Sequence, residues 1–377
     1  MSNIPTIEEL LRDAKRAGAS DVHITVGIPP KMRVNGQLIT MNYDRLLPPD
    51  TLQMLDQFMD ERQRAMFDRD GEHDMSFSIP NLGRYRVNAY RQRGSVAIAL
   101  RLVGTQVPSP EVLGVPESVI DLYQRKKGLI LVTGPTGSGK STTCYTVLSE
   151  LNREEVNIIT VEDPVEANVD GVNQVQVNVK ADLTFANALR SILRQDPDII
   201  MIGEIRDGET AGIAVKASIT GHLVISTLHT NSTAASITRL IDMGVEPYLI
   251  GDSVVGIIAQ RLVRKLCPKC RKAREATDQE KKLLMVPASM PQTVYEPVGC
   301  EDCGGIGYRG RTAIYEIMPV TAKLRNRIHD KVTADELQEI AVSEGMSTLR
   351  MAAAKKVKEG ITSCAEMIKV AYDYEAD

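Results

Sequence analysis

Residues Gly134 to Ser141 read GPTGSGKS, a complete G-x-x-x-x-G-K-[ST] phosphate-binding pattern. Glycines let such a loop curl until successive N–H groups point at phosphate oxygens. Lys140 supplies a cation for the β- and γ-phosphates, and the Ser141 hydroxyl a ligand for Mg²⁺. Four cysteines form a second constellation, Cys267 and Cys270 in CPKC and Cys300 and Cys303 in CEDC. Two thiolates two residues apart grip one ion from a tight turn, and two such turns complete a closed tetrahedral Zn²⁺ site. The alternative is a set of reduced thiols without metal. A closed four-thiolate site has no open position, so catalysis falls to the phosphate loop. GIGYRG, Gly305 to Gly310, also matches G-x-G-x-x-G, but it follows a cysteine turn rather than a strand and lacks a βαβ unit.

These residues need elements to hold them. Leu129 to Thr133 read as a buried strand entering the loop, and an amphipathic helix containing Cys144 follows it. Further on, short apolar runs alternate with helical patterns, as a mainly parallel sheet requires. One run ends at Glu162, Asp163 and Glu166. A helical stretch follows, with Phe185, Leu189 and Ile192 on one face and Thr184 placed to cap it. The next run ends at Glu204, and a third carries His222 and His229. Carboxylates at carboxyl strand ends beside a phosphate loop hold Mg²⁺ or orient the attacking water. Gly203 stands where many such enzymes have Asp, so metal and water duties would be shared with Glu162 or Asp163. Each histidine alone reads equally as a satisfied core residue.

Composition limits the partners. The chain has 377 residues, enough for two or three domains, with 43% hydrophobic and 25% charged residues. Trp is absent and Phe occurs four times, so the cores must be aliphatic. A net charge of −4 argues against wrapping nucleic acid. The amino-terminal stretch has no signal-peptide pattern, and no apolar run approaches the length of a spanning helix, which predicts a cytoplasmic protein. In that compartment paired cysteines favour metal over disulfides. Cys144 and Cys364 read as small apolar residues.

Upstream, Ile7, Leu10, Leu11 and Ala14 have helical spacing, ending at Gly18. KMRVNGQLI reads as two strands joined by an Asn35-Gly36 turn. Arginines alternate with apolar residues between Gly83 and Val103; for any one of them a solvated sheet face is the plainer reading. Residues 107–116, rich in proline, predict a restrained linker. Capping boxes are expected at Thr333–Glu336 and Ser363–Glu366 in a helical tail.

GPTGSGKST, VEDPVE, LRQDPDIIMIGEIRD and TGHLVISTLHTNS together resemble the Walker A, Asp box, Walker B and His box of the type II/type IV secretion ATPase superfamily. The resemblance covers nearly the whole chain. It implies an α/β protein: a PAS-like α+β domain (1–106), the linker (107–116), and a RecA-like P-loop ATPase domain (117–377). The zinc element would occupy 267–303 and the helical tail 321–377. It implies ATP, Mg²⁺ and Zn²⁺ as cofactors. Gly134, Pro135, Thr136, Gly137, Ser138, Gly139, Lys140, Ser141 and Thr142 would bind nucleotide, with Asp163 and His222. Ser141 and Glu204 would hold Mg²⁺, Glu162 would activate water, and His229 would sense the nucleotide state. Arg84, Arg86, Arg93, Arg101 and Arg239 would be candidates for the phosphates. A homo-hexamer is implied, working at the cytoplasmic face of the membrane on an inner-membrane pilus platform protein, with membrane association only through partners. The amino-terminal half resembles the twitching-motility (PilT-type) retraction ATPases, whereas the cysteine clasp resembles that of pilus-assembly and type II secretion ATPases. The short amino terminus tips the expectation toward retraction. A DNA translocase and a nucleotide-switched scaffold are the competing classes.

Overall fold

The spacing of Ile7, Leu10, Leu11 and Ala14 becomes the buried face of the helix Ile7–Arg16. Thr6 caps it: its hydroxyl accepts from the Glu9 amide, and the Glu9 carboxylate accepts from the Thr6 amide. A computed structural model of the chain describes residues 4–34, 37–80, 82–103, 107–330 and 332–372. The chain divides into two compact units, 1–106 and 107–377.

The first unit is α+β. Its strands are β1 (Ala19–Ile24), β2 (Lys31–Val34), β3 (Gln37–Thr40), β4 (Glu72–Ile79), β5 (Gly83–Gln92) and β6 (Ser95–Val103). They form an antiparallel sheet in the order β3-β2-β1-β6-β5-β4. The helices Ile7–Arg16, Pro48–Asp56 and Glu61–Asp70 pack on it over a core that includes Leu10, Leu55, Phe67 and Ile98. The expected Asn35-Gly36 turn lies outside the described residues, although the strands it joins pair Val34 with Gln37.

The second unit carries β7 (Gly128–Thr133), β8 (Ile158–Glu162), β9 (Asn173–Gln176), β10 (Ile199–Ile202), β11 (Leu223–Leu228), β12 (Val254–Leu266), β13 (Lys272–Glu275), β14 (Thr293–Glu296) and β15 (Tyr308–Pro319). The main sheet runs β15-β12-β7-β11-β10-β8-β9, parallel except for β15 at one edge. Every residue of β7, β8, β10 and β11 is buried. That is the burial expected of a parallel sheet covered on both faces. Alternation separates the two faces: Leu129, Leu131, Ile159 and Val161 enter one aliphatic core, Ile130, Val132 and Ile158 the other. The carboxyl ends of the four central strands therefore open on one edge, where ligands bind in such sheets.

Residues 107–116 pack against the second unit's own core. They contain the short helix Pro110–Leu113, Val107 and Val115 pack against the second core, and the Pro108 carbonyl accepts from Thr146 Oγ1 at 2.9 Å. The excursion 267–303 has strands and a core of its own. β13 pairs with β14, and Ala276, Leu284 and Val294 share a core with Leu349, Ala353 and Val357 of the tail. The tail helices are Ala322–His329, Ala334–Ser343, Leu349–Lys358 and Cys364–Tyr372. Thr333 and Glu336 form a full capping box. Ser363 caps its helix too, but Glu366 turns to Arg264 at 2.6 Å instead of reaching back. Among the described residues no helix is long and apolar enough to cross a membrane.

Candidate nucleotide site and tetracysteine cluster

The phosphate loop leaves β7 and enters the helix Lys140–Leu151. A Cβ added at Gly134 would lie 2.5 Å from the Gln260 carbonyl oxygen and 2.6 Å from Ser138 Oγ. Gly139, at φ +89°, would place one 2.8 Å from Gln260 Nε2. Both positions are restricted to glycine by space and by backbone conformation. Pro135, Thr136 and Gly137 are exposed, whereas Ser138 and Lys140 are buried. Ser138 Oγ is buried without a hydrogen-bond partner. An orphan hydroxyl inside a glycine cradle fits a phosphate ligand. Lys140 Nζ donates to the Gly134 and Pro135 carbonyls at 2.7 and 3.1 Å. Burial lowers the Lys140 pKa, partly offset by Cys144 and the Glu204 carboxylate. Ser141 and Thr142 open the helix, at its amino-terminal, anion-favouring end.

Neighbouring strand ends add charges. Glu204 follows β10, and His229 follows β11 with its Nε2 3.2 Å from Glu204 Oε2. Arg206 pairs with the other Glu204 oxygen and lies 3.7 Å from Asp163. Burial opposes ionisation of Glu204, but Arg206 and His229 outweigh it, so its pKa is lowered. Gly203 now has a reason: a Cβ there would press within 3.3 Å of Glu162 Cα and the Val161 carbonyl. The close approach of β8 leaves little room for a side chain at this position, and Glu204 is the acid that follows the strand. Thr133 Oγ1 donates to the Thr230 carbonyl at 2.9 Å, tying the end of β7 to the loop bearing His229.

Glu162 is buried and accepts from Thr160 Oγ1 at 2.6 Å, Gln174 Nε2 at 3.0 Å and the Tyr145 hydroxyl. Burial and the Glu162 charge raise the Tyr145 pKa. A carboxylate has about four acceptor positions, so roughly one remains for water.

The structure brings Lys140, Asp163, Glu204 and His229 to one sheet edge but separates His222 from them. His222 precedes β11 at its amino end, where Nδ1 lies 3.0 Å from the Ala217 carbonyl and its own carbonyl accepts from Gly128. It is removed from the chain's own phosphate loop by the length of a six-residue strand. Arg84 and Arg86 lie on β5 and Arg101 on β6, with Arg86 opposite Arg101. Each has a partner on its own sheet: Ser76 for Arg84, Asp74 at 3.9 Å for Arg86, and Asp21 at 2.8 Å for Arg101. Arg93 occupies the turn between β5 and β6 at φ +50°, and Arg239 is exposed on the helix Thr233–Asp242. Sequence reading missed Arg206, Tyr145, Gln260 and Arg261. Arg206, in GEIRD, stood two residues from a flagged glutamate; the others carry no motif.

The sulfurs of Cys267, Cys270, Cys300 and Cys303 all lie within 4.8 Å of one another. Three of the separations are 3.9, 3.9 and 3.8 Å. Four ligands at the usual Zn–S distance of about 2.3 Å sit about 3.8 Å apart in a regular tetrahedron. Backbone amides support the sulfurs: Gly299 donates to Cys270, and Cys300 and Gly307 donate to Cys303, at 3.2–3.3 Å. Burial opposes a Cys303 thiolate, but the Cys300 and Gly307 amides and the neighbouring thiols outweigh it and bring its pKa down to about 6. The donor set fits zinc. Cys144 and Cys364 are buried, and burial pushes both thiols up to about 12, as expected of inert apolar residues.

The family described as "Type II/IV secretion system protein" matches residues 2–369. The chain belongs to this family. A type II secretion system protein E of Aeromonas hydrophila is 47% identical over 278 residues, covering 74% of this chain and 54% of its own length. The type IV pilus assembly ATPase PilB of Myxococcus xanthus is 41% identical over 389 residues, covering 97% of this chain and 67% of that protein. The chain thus spans about half to two thirds of these relatives. Among solved structures, the ADP-bound pilus retraction motor PilT shares 34% identity and a TM-score of 0.78, over 97% of both chains. The α/β architecture read from the sequence, with an antiparallel amino-terminal unit and a P-loop unit, is that of this ATPase family.

Proposed function

We propose that the chain is an ATP-hydrolysing motor of a type II secretion or type IV pilus machine. The observation that carries this is the convergence of Lys140, Asp163, Glu204 and His229 on the strand edge beside a glycine cradle with an orphan hydroxyl. Lys140 and the loop amides bind the phosphates, and Ser141 and Glu204 hold Mg²⁺, with His229 and Arg206 orienting Glu204. Glu162, fixed by three donors, directs its remaining acceptor position to the attacking water. The cysteine cluster holds one structural Zn²⁺. We assign the motor to a homo-hexamer at the cytoplasmic face of the membrane, acting through a platform protein.

On direction of work, identity to secretion and assembly ATPases of 47% and 41%, with the tetracysteine cluster, favours secretion or assembly. The retraction reading keeps the support of the PilT likeness. Deleting the gene separates them. Bald or secretion-defective cells support the first reading, and cells with excess surface pili support retraction.

A further inference from the structure

Gln260 lies on β12, beside β7, and is 2% exposed. Its side-chain nitrogen donates to the Ser138 carbonyl at 2.9 Å, and its side-chain oxygen accepts from Thr143 Oγ1 at 2.8 Å. A carbonyl can only accept, so the amide nitrogen must face Ser138. The same residue meets both ends of the phosphate loop. Its backbone carbonyl closes on Gly134 and its side-chain amide on Gly139. The following Arg261, also buried, donates from Nη1 to the Gln260 carbonyl at 3.1 Å and from Nη2 to Asn231 Oδ1 at 3.1 Å.

We propose that Gln260 is a positioning residue for nucleotide binding, clamping the phosphate loop in its ligand-ready curl. This rests on the nucleotide-site reading above and adds a residue to it. The reasoning is conformational. A loop with glycines at both ends has many alternative backbone states, and phosphate binding must select one of them. A buried clamp that selects it in advance removes that cost from binding. Thr143 fixes which way the clamp's amide faces, and Arg261 holds the strand carbonyl behind it. Because the clamp acts before chemistry, its loss raises Kd and KM more than it lowers kcat.

The test uses the full chain with Mg²⁺ and a fluorescent ADP analogue. Gln260→Met keeps the length and apolar packing but removes both hydrogen bonds, and Gln260→Glu keeps an acceptor for Thr143 while losing the donor to Ser138. Thermal melting without nucleotide reports folding of each variant. The proposal expects Kd to rise about tenfold in both, roughly the effect of one buried hydrogen bond, with kcat at saturating ATP falling less than threefold. A purely structural residue would lower the melting temperature and leave Kd of the folded fraction unchanged. Kd within twofold of the parent in either folded variant overturns the proposal alone. A parent chain that binds no nucleotide overturns both the clamp and the site reading.

Discussion

Removing the metal from the cysteine cluster should loosen a defined part of the second unit. Cys267 and Cys300 are 33 positions apart, and their sulfurs are 3.9 Å apart. A cross-link closing a loop of that size is worth about 4 kcal/mol at 25 °C by chain entropy. A metal closes the loop in the same sense, since the unfolded chain has no preformed site. The loss reaches the tail, because β12 enters the cluster at Leu266, whose amide donates to Ile361, and Arg271 donates to Gly360. Ala276, Leu284 and Val294 would carry it into the core shared with Leu349 and Ala353. At about 2–4 °C per kcal/mol for a large domain, melting should fall by about 8–15 °C. Elemental analysis should find one zinc per chain in the parent protein and little in Cys303→Ser. Scanning fluorimetry of both, with and without chelator, checks the size. Parent protein without metal after zinc-replete expression would refute the metal reading. Full zinc occupancy with melting unchanged on chelation would refute the loop-closure reasoning.

Glu204→Gln should retain nucleotide binding yet lose turnover by about 100-fold or more, because the amide cannot anchor Mg²⁺; paired turnover and binding titrations check this, and turnover within twofold of the parent contradicts it. Glu280 offers a pH test: Arg274 at 2.6 Å holds its pKa down to about 2, from an ordinary 4.5. Its folded pKa is depressed, so its stabilisation is present above pH 4.5 and fades as pH falls toward 2. The gap in urea midpoint between the parent and Glu280→Gln should therefore be full at pH 7 and shrink below pH 4.5.

The phosphate loop, the strands bearing Glu162 and Glu204 and the cysteine pairs were legible because each is local. Fixed spacings and short apolar runs place these residues without knowledge of distant contacts. What escaped is long-range. The partnership of Gln260 with Ser138 spans 122 positions, and Tyr145 reaches Glu162 only because the helix after the loop packs across the sheet. The His box names two histidines together, whereas a six-residue strand puts His222 and His229 at its opposite ends. Gly203 looked like a departure from the usual strand pattern until the approach of β8 showed how little room a side chain has there. The polar excursion hid its core because its few apolar residues pair with tail residues far along the chain.

The central claim is that this chain turns over ATP through the loop at Lys140, and steady-state phosphate release by the parent and Lys140→Ala tests it most directly. Lys140 is 8% exposed and bonded to two loop carbonyls, so its removal deletes the cation of the phosphate cradle and leaves the sheet beneath it in place. The account predicts Mg²⁺-dependent turnover in the parent chain, and turnover at background in a Lys140→Ala protein that melts as the parent does. Turnover at the parent's rate in the folded variant would contradict it.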